Sequence, residues 1–187
     1  MTIEEEKQIL KRIKDDPKVF GEIFDFYYSK IFGYIFRRIL DYDISKDIAA
    51  ETFLKAYLNI GKFVWKDISI KSWLYKIATN EINYYFRKKK YSPESLNDLL
   101  ENNPKIIFEE NEFESEKQKI ENELKLHKDF IKIQRKVILL PVKYQEVISL
   151  RFFEQKSIKE ISEILNKKNG TIKSLISRGL AKLRNET

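Results

Sequence analysis

Lys76, Thr79, Asn80, Asn83, Tyr84 and Arg87 recur at three- and four-residue spacings, so in a helix they bring cations, amides, a hydroxyl and a phenol onto shared faces. Lys88 extends the set. Groups of these types stack on unpaired bases, hydrogen-bond base edges and neutralise phosphates, whereas an ordinary solvated face would be mostly Glu and Lys. The chemistry on offer is recognition of a nucleic acid without bond-making. Ile70, Trp73, Leu74, Ile77, Ala78, Ile82 and Phe86 fall on the other side and can face a core. The stretch Ser72–Lys90 also fits a core-packing helix whose terminal cations complement its dipole, and these residues by themselves leave both readings open.

A second set lies near the C-terminus. Ile161, Ile164 and Leu165, a tight turn over Asn166–Gly170, then Ile172, Ile176, Leu180 and Leu183 have the spacing of a helix-turn-helix, whose second helix enters a major groove. Thr171, Lys173, Ser174, Ser177 and Arg178 lie off that apolar stripe, where they can reach base edges and phosphates, and Lys167 and Lys168 suit backbone contacts. A plain helical hairpin with a solvated basic face is the alternative; the agreement of cap, turn length and outward residue types favours the helix-turn-helix.

Two smaller features accompany these. The loop Lys62–Ser69 carries Phe63 and Trp65 beside Lys62 and Lys66, so its aromatics can cup a base or fold back on the core. Asp47, Ala50, Glu51 and Leu54 sit at i, i+3, i+4 and i+7, a small acidic and apolar patch that can meet a protein or water. No Gly-rich phosphate loop, metal-ligand cluster or nucleophile–base pair is evident, so neither a cofactor nor enzymatic chemistry is expected. With no cysteine and His127 as the single histidine, thiolate metal sites and imidazole pairs are excluded.

The elements that must position these residues are helical. Only 5 Gly and 4 Pro in 187 residues give little punctuation for a β fold. Thr2 and Glu5 have capping-box spacing for a helix from Ile3 to Lys14; Asp16 and Pro17 start another that runs to about Leu40, with Phe20, Ile23, Phe24, Tyr27, Ile31, Tyr34 and Ile35 as its stripe. After a turn at Asp41–Asp43, a helix over Ile44–Ile60 buries Ile44, Ile48, Phe53, Ala56, Tyr57 and Ile60, and Ser69 or Asp67 caps the next. Phe113, Ile120, Leu124, Ile131 and Ile138 keep a helical period to Leu140, Pro141 opens a helix from Val142 to Phe153, and Ser157 and Glu160 form a second capping box.

Charge divides the chain similarly. Lys and Arg against Asp and Glu are 18 to 13 over residues 1–90, 1 to 8 over 91–116 and 17 to 8 over 117–187, giving +5, −7 and +9 within a net +7. Two basic blocks flank an acidic one, the pattern of two binding modules on a tether. The expectation is an all-α protein with two small helical domains: residues 1–90, an acidic linker over 91–112 able to span at most about 75 Å, and residues 113–187. No signal peptide and no apolar run long enough to cross a bilayer is evident, which predicts a cytoplasmic protein without membrane insertion.

Leu140–Glu154, followed by Ser157–Leu165 and Gly170–Ser174, resembles region four of bacterial RNA polymerase sigma factors, and Asp47–Tyr57 with Ser72–Ala78 resembles region two. The order and the short chain are similar to the extracytoplasmic-function type, which has only these two regions. The resemblance implies a promoter-specificity factor that performs no bond chemistry and has core RNA polymerase and promoter DNA as partners. Asp47, Ala50, Glu51 and Leu54 match the surface that holds the clamp helices of the polymerase's largest subunit. Region four would sit on the flap of the second-largest subunit.

By the same resemblance, Lys62, Phe63, Trp65 and Lys66 match the loop that captures a flipped minus-ten base. Lys76, Thr79, Asn80, Asn83, Tyr84, Arg87 and Lys88 match the wall facing the melted strand. Thr171, Lys173, Ser174, Ser177 and Arg178, with Lys167 and Lys168, would read the minus-thirty-five duplex, and the acidic linker would thread the RNA exit path. An anti-sigma factor is usual in this type, although no residue demonstrates one. A duplex-only helix-turn-helix regulator is the alternative function. The family usually has Gln at Ala50, Arg at Thr79, Asp at Tyr84, Gly at Gln155 and a polar or basic residue at Leu175.

Overall fold

A computed structural model describes residues 1–63, 69–90, 130 and 132–185. Every regular element among them is helical: α1 (Ile3–Arg12), α2 (Phe20–Ile39), α3 (Tyr42–Asn59), α4 (Ile70–Lys90), α5 (132–139), α6 (Val142–Ile148), α7 (Ile158–Leu165) and α8 (Asn169–Asn185). Among the described residues no helix is long and apolar enough to cross a membrane. The expected acidic linker, the stripe from Phe113 to Ile131, Trp65, Lys66 and Asp67 lie outside the described residues.

Local signals set the ends of the first helices. Thr2 and Glu5 form the reciprocal capping box, and Asp16 accepts from the Lys18 amide at 2.9 Å as Pro17 opens a short 3-10 turn into α2. α2 ends where Leu40 takes a left-handed φ of 55°. α3 begins two residues before the expected Ile44, because the Asp41 side chain accepts from the Ile44 amide at 2.9 Å and so acts as its N-cap. Ser69 caps α4 by accepting from the Ser72 amide at 3.1 Å.

α2, α3 and α4 pack into one core. Ile23, Tyr27, Ile31, Tyr34 and Ile35 come from α2, Ile48, Ala49, Phe53 and Ala56 from α3, and Ile70, Leu74, Ala78 and Ile82 from α4, all buried. Trp73, Ile77 and Phe86 lie half-buried against them. Tyr57 and Phe24 do not join the interior. They stay exposed at its rim, edge-on to Phe20 and Phe53 at 5.4 and 5.0 Å. Beneath them, the buried Glu6 of α1 accepts from the Tyr27 hydroxyl at 2.7 Å and the Ile70 amide at 2.9 Å.

The C-terminal half contributes Val137, Leu140, Tyr144, Val147, Ile148, Leu150, Ile161, Ile164 and Ile172 to the buried apolar residues. In α5, Gln134 and Val137 face inward and Ile138 is only half-buried, so the buried line runs one residue ahead of the expected one. Pro141 separates α5 from α6, and the Gln145 amide group satisfies the carbonyls of Ile138 and Leu140 at 2.6 and 2.8 Å. The helix expected to Phe153 changes to a π turn over Ser149–Phe153, which swings Glu154 towards the N-terminal half.

Candidate nucleic-acid and protein interfaces

α4 presents its polar residues unequally. Asn80, Tyr84, Arg87 and Lys88 are exposed, Tyr84 with 59% of its surface open to solvent, and Lys76 is half-buried. Thr79, expected on the outward face, is instead buried: its hydroxyl donates to the Tyr75 carbonyl at 2.7 Å and lies 2.9 Å from the Tyr34 hydroxyl. Its hydroxyl thus joins α4 to α2 through Tyr34. Lys62 is exposed, and Phe63 is half-buried against Trp73 at 4.8 Å between ring centres, so the start of the loop folds back on α4.

Asn83 is also held. Its amide nitrogen donates to Glu146 at 2.6 Å, and its oxygen accepts from Arg38 at a long 3.5 Å. Arg38 is buried beneath it, donating to the Tyr34 hydroxyl at 3.2 Å and leaving Nε without a partner among the described residues. Burial pushes the Tyr34 phenol up, against the pull of Arg38 and the Thr79 hydrogen bond. The Asn83 amide therefore bridges a cation of the N-terminal half and a carboxylate of the C-terminal half.

Asp47, Ala50, Glu51 and Leu54 are brought together as one exposed face of α3. Leu54 leaves 51% of its surface open and Glu51 pairs at 3.2 Å with Lys55, which also reaches Glu81 of α4 at 2.7 Å. The hydrogen bond from Lys55 to Glu81 comes first in holding that lysine above its ordinary pKa, ahead of the one to Glu51.

The α7–α8 unit follows the expected plan. Ser157 and Glu160 form the capping box, and Asn166 turns the chain at φ 51°. Desolvation works against the Glu160 charge, but hydrogen bonds from Ser157 with Lys156 and Lys71 nearby outweigh it and hold the carboxyl low. Lys167, Lys168, Thr171, Lys173, Ser174, Ser177 and Arg178 are all exposed, while Ile172 and Gly179 mark the buried line of α8. A Cβ on Gly179 would meet Ile148 at 3.2 Å and Tyr144 at 3.4 Å, so glycine lets α8 lie close on α6. Leu175 is half-buried against the core, which places it with the packing residues and apart from the polar set. Leu180, expected in the apolar stripe, is partly exposed.

The residues that sequence reasoning did not single out lie where the halves meet. Glu154 accepts from Arg37 Nε at 3.1 Å, from the adjacent Arg37 nitrogen and from the Tyr75 hydroxyl at 2.6 Å, with only 7% of its side chain exposed. Gln155, where a glycine was expected, takes φ 52°, and the ammonium of buried Lys156 lies 4.2 Å over the Tyr75 ring. Burial and Glu154 raise the Tyr75 phenol. The glycine-like position of Gln155 was the one signal of a turn here; nothing local marked Glu154 as buried.

Residues 23–91 match the family described as Sigma-70 region 2, and residues 130–183 the family described as Sigma-70, region 4. The chain is 35% identical over 187 residues, 97% of both chains, to the ECF RNA polymerase sigma factor SigW of Bacillus subtilis. It is 30% identical to the RNA polymerase sigma factor SigZ of the same organism, over 87% of this chain and 84% of that one. Its fold is similar to that of CnrH in complex with the cytosolic domain of CnrY, with a TM-score of 0.65 and 16% identity over 96% of this chain and 95% of that one. It is also similar to the sigma factor RpoE in complex with the anti-sigma factor NepR from Bartonella quintana, at 0.61 and 18% over 90% and 96%. With both regions matched in order and this identity along its length, the chain belongs to the extracytoplasmic-function family of RNA polymerase sigma factors.

Proposed function

We propose that this chain joins core RNA polymerase in the cytoplasm, directs it to specific promoters and helps open them, leaving the bond chemistry to the polymerase. The α3 face of Asp47, Ala50, Glu51 and Leu54 holds the clamp helices of the largest subunit, where its carboxylates meet basic side chains. The C-terminal half sits on the flap of the second-largest subunit. The exposed face of α8 reads the minus-thirty-five duplex, and the acidic stretch 91–112 threads the RNA exit path. Asn80, Asn83, Tyr84, Arg87 and the loop from Lys62 capture the melted minus-ten strand. Each captured base contributes about 1–3 kcal/mol of stacking, similar to the cost of unstacking it, so several contacts must act together.

The observation that carries this reading is the pair of exposed polar faces, on α4 and on α8, each lying within one of the two matched regions of a single chain. A duplex-only regulator has no use for the first. The test is reconstitution with core polymerase followed by mapping of transcription starts. The expected result is initiation at a discrete set of sites that share two spaced elements; initiation no different from that of core polymerase alone would refute it. The CnrH structure holds the cytosolic domain of CnrY and the RpoE structure the anti-sigma factor NepR, which supports an anti-sigma factor as a further partner of this chain.

A further inference from the structure

Arg38 is 1% exposed, yet among the described residues no carboxylate pairs with it. Its guanidinium donates to the Tyr34 hydroxyl at 3.2 Å and, at a long 3.5 Å, to the Asn83 oxygen. A buried cation without a counter-charge is costly, so it matters where the hydrogen bonds around it lead. One branch leads inward. Thr79 spends its proton on the Tyr75 carbonyl, so the Tyr34 hydroxyl donates to Thr79 and accepts from Arg38, and this branch ends on neutral α4 backbone. The other leads towards the surface. Arg38 has donors alone to offer, which turns the Asn83 oxygen inward and its nitrogen out. That nitrogen meets the Glu146 carboxylate at 2.6 Å, so the negative group that the cation reaches lies beyond Asn83.

We propose that Arg38 is a positioning residue that locks Asn83 as an outward donor for an anionic oxygen, and that on the melted strand this oxygen belongs to a phosphate. This rests on the promoter-factor reading above. The Glu146 carboxylate marks the chemistry the site takes, an anionic acceptor at short range. A neutral base carbonyl would accept the same proton without offsetting the cation. Arg87, four residues on and exposed, lies on the same side of α4 and suits a neighbouring phosphate. Asn83 then holds the backbone of the strand in register, and stacking on its bases is left to Tyr84.

The test is a series of pre-melted promoter duplexes, each with one phosphate of the captured strand replaced by a neutral methylphosphonate, bound to polymerase reconstituted with the full chain. At one position the replacement is expected to weaken binding by the parent about tenfold. In Asn83→Ala and in Arg38→Met the same replacement should cost nothing further, because the contact is already lost. Arg38→Lys, which keeps the charge in the core, should restore part of the penalty. A general loss of packing would lower binding yet keep the methylphosphonate penalty, so the pattern separates positioning from a structural role. Asn83→Ala, at a half-buried position, reads the phosphate contact even where an Arg38 variant folds poorly. Penalties kept at every phosphate in Asn83→Ala would overturn the contact, and a penalty lost there but kept in full in Arg38→Met would overturn the role of Arg38. An abasic penalty that vanishes in Asn83→Ala while every methylphosphonate penalty stays would assign a base in place of the phosphate. A parent that binds the strand no better than core polymerase alone would refute the promoter reading and this assignment together; tight parental binding indifferent to Asn83 would refute this assignment alone.

Discussion

Glu6 and Ile70 are 64 residues apart, yet the Glu6 carboxylate accepts the Ile70 amide hydrogen at 2.9 Å and so completes the first turn of α4. The same carboxylate takes the Tyr27 hydroxyl, whose pKa is raised by burial and by that neighbour. α1 thereby fixes where the polar face of α4 begins. Glu6→Ala leaves two buried donors without an acceptor and should lower stability by about 2–4 kcal/mol, read from urea unfolding. A loss no larger than that of a surface substitution would show that water replaces the carboxylate.

Glu51→Arg reverses the charge of the α3 patch at a position that is 47% exposed and paired only laterally, so the fold should survive. Core-polymerase affinity should fall about tenfold or more. Lys55→Ala frees Glu51 from its lateral partner and should not weaken binding. Equal affinity of the Glu51→Arg chain and the parent would remove this patch from the polymerase contact.

Asn80→Ala with Tyr84→Ala strips an amide and a stacking ring from the open part of the α4 face. Permanganate reactivity of unpaired promoter thymines should drop about tenfold or more, with closed-complex formation less affected. Parallel loss of both would count against strand capture.

Lys156 makes the closed packing of the C-terminal half on α4 sensitive to pH. Burial first, then the Lys71 ammonium on α4, pushes Lys156 down to about 7, against the pull of Glu160 and Glu154; the Tyr75 ring covers it. An opened chain returns it towards the ordinary 10.5. Between these values the closed form binds fewer protons, so closure strengthens as pH rises above about 7 and is weakest below it. A fluorophore pair carried on Ser29→Cys and Lys182→Cys, exposed positions in different halves, should report a shorter mean separation at pH 9 than at pH 6.5 in the parent. Lys71→Ala removes the adjacent cation and should shorten that separation at neutral pH.

Much of this architecture was legible because it is local. Two capping boxes, Asp16 before Pro17, Pro141 between α5 and α6, and the apolar lines of α4 and α8 each depend on residues a few positions apart. The exposed set on α8 followed from the same periodicity. Thr79, Asn83 and Glu154 were not legible in that way, since each is placed by a partner 45 to 117 residues away, and a threonine, an asparagine or a glutamate looks equally at home in water. Glu6 was hidden for a related reason: beside Glu4 and Glu5 it reads as one more acidic residue favouring a helix N-terminus. Asp41 reads as a turn residue in sequence because an N-cap and a turn call for the same side chain.

Gly179 and Ile172, seven residues apart, pin one line of α8 against α6 and leave the opposite side to Thr171, Ser174 and Arg178, which also span seven residues. At 1.5 Å per residue that line is about 10 Å long, some three steps of a duplex that rises about 3.4 Å per base pair. On the reading proposed above, a footprint so short names only a few base pairs, far too few to be unique in a genome. Selectivity would then have to come from demanding a second short word at a fixed distance from the first.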